Sequence, residues 1–193
     1  MTPGVGQSTS VVVGLIQPWY FVIWTKDEVD NWSVISATVS VVPFVTVRSV
    51  SITSGGAQDW GEVMMGSTVA GSTGTVLLND GNVANTYSFT ASTQTVGSPW
   101  SVKSSPPAGP DQLVIYGAFH GTAPVSGDYG VEDVMYGTGQ SSSGTVFTVD
   151  GSATGASVPD GESRTLWIRM DFPTTTTTVD QQTIKVQVTA QAP

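Results

Sequence analysis

The sequence predicts an all-β protein: an immunoglobulin-like or jelly-roll-type β-sandwich with an extended apolar N-terminal segment. Short segments that alternate apolar and polar residues are separated by Gly, Asn, Asp and Pro turn signals. No segment keeps a 3.6-residue period over the length that a helix needs. The 193 residues are enough for one well-buried core of sandwich size. About eight short strands are therefore expected.

The first element is the most apolar stretch of the chain, Ser10–Trp24, which reads SVVVGLIQPWYFVIW. It is shorter than the roughly 18 residues of a membrane-spanning helix, and Pro18 interrupts it. A signal peptide would place positive charge ahead of the apolar run, whereas the first cation here, Lys26, follows it. The abundance of Val, Ile and aromatic residues favours two extended pieces, Ser10–Ile16 and Trp19–Trp24.

An extended strand over Trp19–Trp24 would have no polar face. Such a strand must be covered on both sides, either in its own subunit or in a neighbouring one. Residues 1–32 are therefore interpreted as an N-terminal extension and candidate inter-subunit donor strand, and residues 33–193 as the sandwich domain. The predicted subunit-interface residues are Val11, Val13, Leu15, Ile16, Trp19, Tyr20, Phe21, Val22, Ile23 and Trp24.

The next element is an alternating segment, Ser33–Thr53, with phase slips at Pro43 and around Arg48–Ser49 that indicate a bulge or bend. Two strands follow, "TGTVLLND" and "NTYSFTAS", which we expect to pair through the turn Asn79–Asn82 because Asp-Gly and Asn tolerate positive φ. Their alternation predicts that Tyr87 and Phe89 point inward.

The C-terminal half supplies the central strand "DQLVIYGAF", apolar on both faces, and a shorter strand, "TVFTVDG". Between them, Gly121–Gly144 is predicted to be a long loop with a small hairpin around Val131–Tyr136. The last two strands, "SRTLWIRMDF" and "TIKVQVTAQ", each have one apolar and one polar face. The threonine-rich connection "PTTTTTVDQQ" is expected to join them as an antiparallel hairpin.

Composition argues against several classes of function. The net charge is -9 and the six Lys and Arg residues are dispersed, so no basic patch is available for nucleic acid. The absence of cysteine excludes disulfides and thiolate chemistry. The only histidine, His120, lacks the partners of a catalytic triad. We therefore expect no enzyme, no cofactor, no small-molecule substrate and no membrane span.

Two features keep a binding role open. Asp128, Glu132 and Asp133 form the best candidate for a Ca²⁺ site, although solvated loop acids are the simpler explanation. Trp100 and Trp167 are candidates for stacking on sugars, or for burial under a loop. The sequon at Asn31 is a possible glycosylation site in a secreted chain.

The stretch Val50–Ser92 contains an aromatic-Gly pair at Trp60–Gly61, a "GS" turn at Gly66–Ser67 and the turn Asn79–Asn82. This pattern resembles secreted immunoglobulin-like β-sandwich filament subunits, similar to TasA-like fibres and archaeal bundling pili. The resemblance implies a subunit that polymerises when an N-terminal strand completes the sheet of its neighbour.

The function expected from the sequence is therefore a structural subunit of an extracellular filament, pilus or cell-surface array. It would form a homopolymer through donor-strand complementation or packing of its N-terminal apolar segment. The alternative is a binding module on a cell or virion surface, with a glycan or a protein as its ligand.

Overall fold

The computed structural model describes residues 19–21, 29–31, 39–41 and 44–193. The chain divides into two compact units, residues 1–46 and 47–193. The predicted domain boundary after residue 32 lies outside the described residues and stays a prediction.

The described part of the first unit contains a two-stranded antiparallel ribbon. Strand β1, Trp19–Phe21, pairs with β2, Val39–Val41. Of the predicted interface residues, Trp19, Tyr20 and Phe21 form β1, and the other seven lie outside the described residues. Tyr20 is 68% exposed.

The second unit is all-β, with two sheets that share one core. Its strands are β3 Ser51–Ser54, β4 Thr68–Ala70, β5 Thr75–Leu78, β6 Thr86–Thr93, β7 Ser101–Val102, β8 Gln112–Phe119, β9 Val134–Met135, β10 Gln140–Ser141, β11 Ser163–Asp171 and β12 Ile184–Gln191. Two short 3-10 turns, Ser126–Asp128 and Val131–Asp133, are the helical elements of residues 47–193.

The small sheet has the order β10-β6-β12, and the large sheet has the order β3-β5-β11-β8-β7. Strand β4 also pairs with β11, and β9 pairs with β8. All these pairings are antiparallel except that of β7 with β8. The result is a β-sandwich-like architecture, which confirms the all-β prediction.

The main core lies between the sheets because alternate residues of β6 and β11 point inward. Tyr87 and Phe89 of β6 are fully buried, as their alternation predicts. They face apolar residues of the large sheet, among them Leu77, Leu113, Ile115, Leu166, Ile168 and Met170.

A smaller core covers the outer face of the large sheet. Strand β8 is buried on both faces, as predicted, because the segment around the two 3-10 turns packs against its outer residues. There Arg169 lies over the ring of Tyr116, 4.0 Å from its centroid, and forms an ion pair of 3.0 Å with Asp171. The middle of the outer face of this sheet is therefore covered by other parts of the protein and is not exposed to solvent.

Two predicted hairpins are wrong. Strands β11 and β12 belong to opposite sheets, since β11 pairs with β8 and β5 while β12 pairs with β6. Strands β5 and β6 are likewise in opposite sheets. Connections of this kind let consecutive strands place their apolar faces against each other across the core, which pairing side by side would not do.

The turn between β5 and β6 forms for a different reason from the predicted one. Gly81 does not have a positive φ; instead, a Cβ atom on it would lie 2.4 Å from the carbonyl oxygen of Val47. The backbone amide of Val47 donates to the side-chain oxygen of Asn82 at 2.8 Å. The turn is thus fastened to the segment before β3, and glycine is required for close approach.

Three further local predictions are wrong. "TVFTVDG" is not a strand, because Phe147 takes a left-handed φ of 58°. Val131–Tyr136 is not a hairpin; it is a 3-10 turn followed by β9, which pairs with β8. The register shift in β3 lies between Ile52 and Ser54 and not at Arg48–Ser49. The slip at Pro43 lies outside the described residues.

Candidate assembly groove

The second unit contains a groove between the two sheets, which we call the assembly groove. It encloses about 1200 Å³. Its floor is formed by apolar side chains of the core, which are Leu77, Phe89, Leu166, Ile168, Met170 and Phe172. Its side along the small sheet is formed by Ile184, Val186 and Val188 of β12. The groove therefore opens the main core along one edge of the sandwich.

Within residues 47–193, strand β12 lies at the edge of the small sheet, and its inner face is not fully covered. Among the described residues it pairs only with β6. The apolar residues Ile184, Val186 and Val188 are half-buried, whereas the residues that alternate with them are exposed. On the neighbouring strand β6, Phe89 is 1% exposed. Since both strands belong to one sheet, the difference comes from what lies above β12.

One wall of the groove is formed by the connection between β3 and β4, which spans residues 55–67. Thr75 fixes its start, because the threonine hydroxyl donates to the carbonyl of Gly55 at 2.7 Å and accepts from Gln58 at 3.2 Å. Trp60 is half-buried and packs edge-on against Phe172, with ring centroids 6.3 Å apart. Trp60 thus anchors this wall to the core.

The other wall is the threonine-rich connection between β11 and β12. The Asp111 carboxylate accepts hydrogen bonds from the Thr177 backbone amide at 2.8 Å, the Thr177 hydroxyl at 3.0 Å and the Thr176 hydroxyl at 3.1 Å. The bond from the Thr177 amide is the main reason why the pKa of Asp111 is lowered. The Asp111 carboxylate is therefore one of the groups that hold the threonine run in place.

The rim of the groove is acidic. Asp59, Glu62 and Asp180 are among its lining residues, and no lysine or arginine of residues 47–193 lines it. Exposed apolar side chains also reach this rim, namely Ile52, Met65 and Val179. An apolar occupant without negative charge is the kind that this surface would accept.

The residues of the predicted ligand-binding alternative are used in packing. Trp100 is 9% exposed, and its indole N–H donates to the Thr176 hydroxyl at 2.8 Å. Trp167 is half-buried, and its indole N–H donates to the carbonyl of His120 at 2.9 Å. Trp100 is therefore buried, and the indole N–H of each residue is already used in a hydrogen bond within the fold.

The three acids of the candidate calcium site are not brought together as a ligand set. Asp128 accepts the backbone amide of Val125 at 2.8 Å, which closes the first 3-10 turn. Asp133 is buried and accepts backbone amides. No group of three or more metal-ligating side chains was found in the described part of the chain. Hydrogen bonds to backbone amides therefore account for the positions of the Asp128 and Asp133 carboxylates.

His120 follows the end of β8, as the sequence predicts, and its ring nitrogen Nδ1 lies 2.8 Å from the carbonyl oxygen of Thr122. Its Nε2 lies 3.9 Å from the carboxylate of Asp150. Asn31, the sequon residue, is exposed. No helix among the described residues has the length and apolarity needed to cross a bilayer.

Sequence reasoning identified the apolar face of β12 but missed the groove above it. The alternation of Ile184, Val186 and Val188 predicts that this face of β12 points inward, but it does not identify the residues that cover the face. Ile52 belonged to the alternating segment Ser33–Thr53, but Met65 and Val179 carried no periodic signal.

Comparison of the chain with protein-family models gave no match. Comparisons with curated proteins and with solved structures gave no match either.

Proposed function

We propose that this protein is a structural subunit that assembles with copies of itself into an extracellular filament, pilus or surface array. The N-terminal apolar segment of one copy packs in the assembly groove of the next. The observation that carries the proposal is the half-buried inner face of the edge strand β12 beside an apolar groove of about 1200 Å³. We also propose that the two-sheet architecture is an immunoglobulin-like or jelly-roll-type sandwich.

Strand addition is the recognition mode that suits this surface. A strand added beyond β12 gains backbone hydrogen bonds from the edge, and its alternate side chains fill the groove. Burial of one aliphatic or aromatic side chain is worth about 1.5–3 kcal/mol. Several such side chains, with the backbone hydrogen bonds, are enough to offset the loss of translational and rotational freedom on association.

The composition of the N-terminal segment fits this role. Ser10–Trp24 contains no charged residue, which suits a groove with an acidic rim. The rest of the chain is polar and carries the net charge of -9, which favours solubility of the free subunit. A chain without cysteine needs no particular redox compartment, and the polar, Ser- and Thr-rich surface suits an extracellular location.

The test is a pair of substitutions on adjacent residues of β12. Val186→Glu places a charge in the groove, while Gln187→Glu adds the same charge on the exposed face one residue along. We expect wild type and Gln187→Glu to form ordered polymers by negative-stain microscopy. Val186→Glu should stay monomeric by size-exclusion chromatography with light scattering, because a buried unpaired carboxylate is strongly unfavourable.

Thermal unfolding monitored by circular dichroism establishes that each variant is folded, and Val186→Thr replaces Val186→Glu if the latter does not fold. Two outcomes would overturn the proposal. One is a wild-type protein that stays monomeric at every concentration, which is the result expected if the segment packs in its own subunit. The other is a folded Val186 variant that polymerises as well as wild type.

A further inference from the structure

Two adjacent methionines, Met64 and Met65, lie in the connection between β3 and β4. Met64 is 79% exposed and Met65 is 40% exposed. By contrast, Met135 is fully buried and Met170 is 5% exposed. Within residues 47–193, the methionines therefore form one pair that solvent reaches and one pair that lies in the core.

The backbone of the exposed pair is held in a tight turn. The carbonyl oxygen of Met64 accepts the backbone amide of Ser67 at 3.1 Å and the Ser67 hydroxyl at 2.6 Å. The amide of Gly66 donates to the carbonyl oxygen of Pro173 at 2.7 Å, which ties the turn to the segment after β11. Gly66 has a positive φ of 72°, which glycine adopts without strain. The turn therefore holds both methionines at a defined place on the surface.

Met65 is one of the lining residues of the assembly groove, and Met64 is not among them. The methionine thioether is apolar and polarizable, and its flexible side chain adapts to irregular apolar surfaces. Oxidation converts the thioether into a sulfoxide, which is polar. Burial of a polar group against apolar side chains is unfavourable when the group gains no hydrogen bond. Oxidation of Met65 thus changes the chemistry of the groove wall, whereas oxidation of Met64 leaves the groove lining unchanged.

We infer that Met64 and Met65 are oxidation sites of this protein and that sulfoxide formation at Met65 weakens assembly. The oxidant is a hydroperoxide, for example hydrogen peroxide. The thioether sulfur attacks one peroxide oxygen, the O–O bond breaks and an S–O bond forms. The sulfur loses two electrons, and hydrogen peroxide is reduced to water. Methionine sulfoxide reductases restore the thioether. The effect on assembly rests on the proposed function, but the selectivity of oxidation does not.

The first test measures that selectivity. The folded protein is treated with hydrogen peroxide, and peptide mass spectrometry follows the oxidation of each methionine over time. Since susceptibility follows exposure, Met64 and Met65 should react about tenfold or more faster than Met135 and Met170. The same reaction in urea is the control, because unfolding removes the difference in exposure. Equal rates for the four methionines in the folded protein would overturn the assignment of the oxidation sites.

The second test measures assembly with the matched variants Met64→Leu and Met65→Leu. Leucine has a volume similar to that of methionine and forms no sulfoxide. Sedimentation gives the concentration at which half of the protein is assembled. Peroxide should raise this concentration by about fivefold or more in wild type and Met64→Leu. It should leave Met65→Leu within about twofold of its untreated value. Treatment with methionine sulfoxide reductases for both sulfoxide epimers should restore wild type, and circular dichroism shows that the oxidised proteins stay folded.

The remaining outcomes separate the two proposals. If Met65 is oxidised and assembly is unchanged, the inference is overturned and the proposed function stands. If Met64→Leu resists peroxide and Met65→Leu does not, the residue assigned to the groove is wrong. If the untreated wild type does not assemble, the proposed function fails and the effect on assembly fails with it, whereas faster oxidation of Met64 and Met65 still establishes the oxidation sites.

Discussion

The buried carboxylate of Asp133 accepts a hydrogen bond of 2.6 Å from the backbone amide of Phe147. Its other oxygen accepts the backbone amide of Gly130 at 2.8 Å. Phe147 has a left-handed φ of 58°, and its ring packs edge-on against Phe89 with centroids 5.2 Å apart. Asp133, which lies in the loop over the outer face of the large sheet, thus fixes the position of Phe147. The Phe147 ring belongs to the main core on the inner face of that sheet.

Replacing Asp133 by alanine should destabilise the second unit by about 2–4 kcal/mol, because two backbone amides lose their acceptor. Chemical unfolding measured by tryptophan fluorescence gives this value. Asp128→Ala is the matched control, since that carboxylate also closes a 3-10 turn but is only half-buried; its loss should cost about 1 kcal/mol or less. Equal losses in the two variants would show that the buried position of Asp133 is unimportant.

The same carboxylate predicts a pH dependence. Burial raises the pKa of Asp133 above its ordinary 3.8, so the folded state holds this proton more tightly than the unfolded chain does. The stabilisation from protonation is fully present below pH 3.8 and is lost as pH rises through the folded-state pKa.

Asp133→Asn lacks this ionisation, so the free energy of unfolding of wild type minus that of the variant should fall between about pH 3 and about pH 7. Asp111, whose pKa is lowered, acts in the opposite direction below its ordinary pKa, but it is present in both proteins and cancels in the difference. Urea unfolding of both proteins across this range makes the measurement. A difference that rises with pH would contradict the assignment.

Gly81→Ala should destabilise the protein by about 1–3 kcal/mol, the usual cost of overpacking. The added Cβ would lie 2.4 Å from the Val47 carbonyl oxygen and 3.1 Å from the Ser49 amide nitrogen. Both are backbone atoms, so the turn or the segment before β3 must move. Differential scanning calorimetry gives the change, with Gly121→Ala as the control because its Cβ would have no atom within 4 Å. If Gly81→Ala left the stability unchanged, the segment before β3 would be able to move away from the added Cβ at no cost.

Removing the Asp111 carboxylate should loosen the threonine wall of the groove. In Asp111→Ala the Thr177 amide loses its acceptor, and we expect its hydrogen exchange to accelerate by about tenfold or more. Exchange measured by NMR or mass spectrometry tests this, with Asp160→Ala on another loop as the control. Unchanged protection at Thr177 would show that other contacts hold the wall.

The sequence predicted much of the fold because alternation is a local property. The period of two in β6 and β11, and the two apolar faces of β8, correctly identified buried side chains, including Tyr87 and Phe89. Strand partners were predicted less well, since β11 and β12 read equally well as a hairpin and as strands of opposite sheets. Pairing depends on residues far away in the chain, and the pattern of one strand carries no information about them.

The candidate site was harder to predict for a related reason. Trp60 and the threonine run were visible in the sequence, but their fixation by Phe172 and Asp111 depends on contacts across long loops. The left-handed φ of Phe147 opposes the strand preference of its neighbours and depends on a carboxylate fourteen residues away.

By itself, the sequence determined that the chain is all-β, that β12 has one apolar face and that the N-terminal segment has no polar phase as a single strand. These are consequences of residue type and of the two-residue period. Only the tertiary structure decided that, within residues 47–193, the apolar face of β12 lies at a sheet edge beside a groove. Burial and pairing depend on neighbours in space, which the local pattern does not specify.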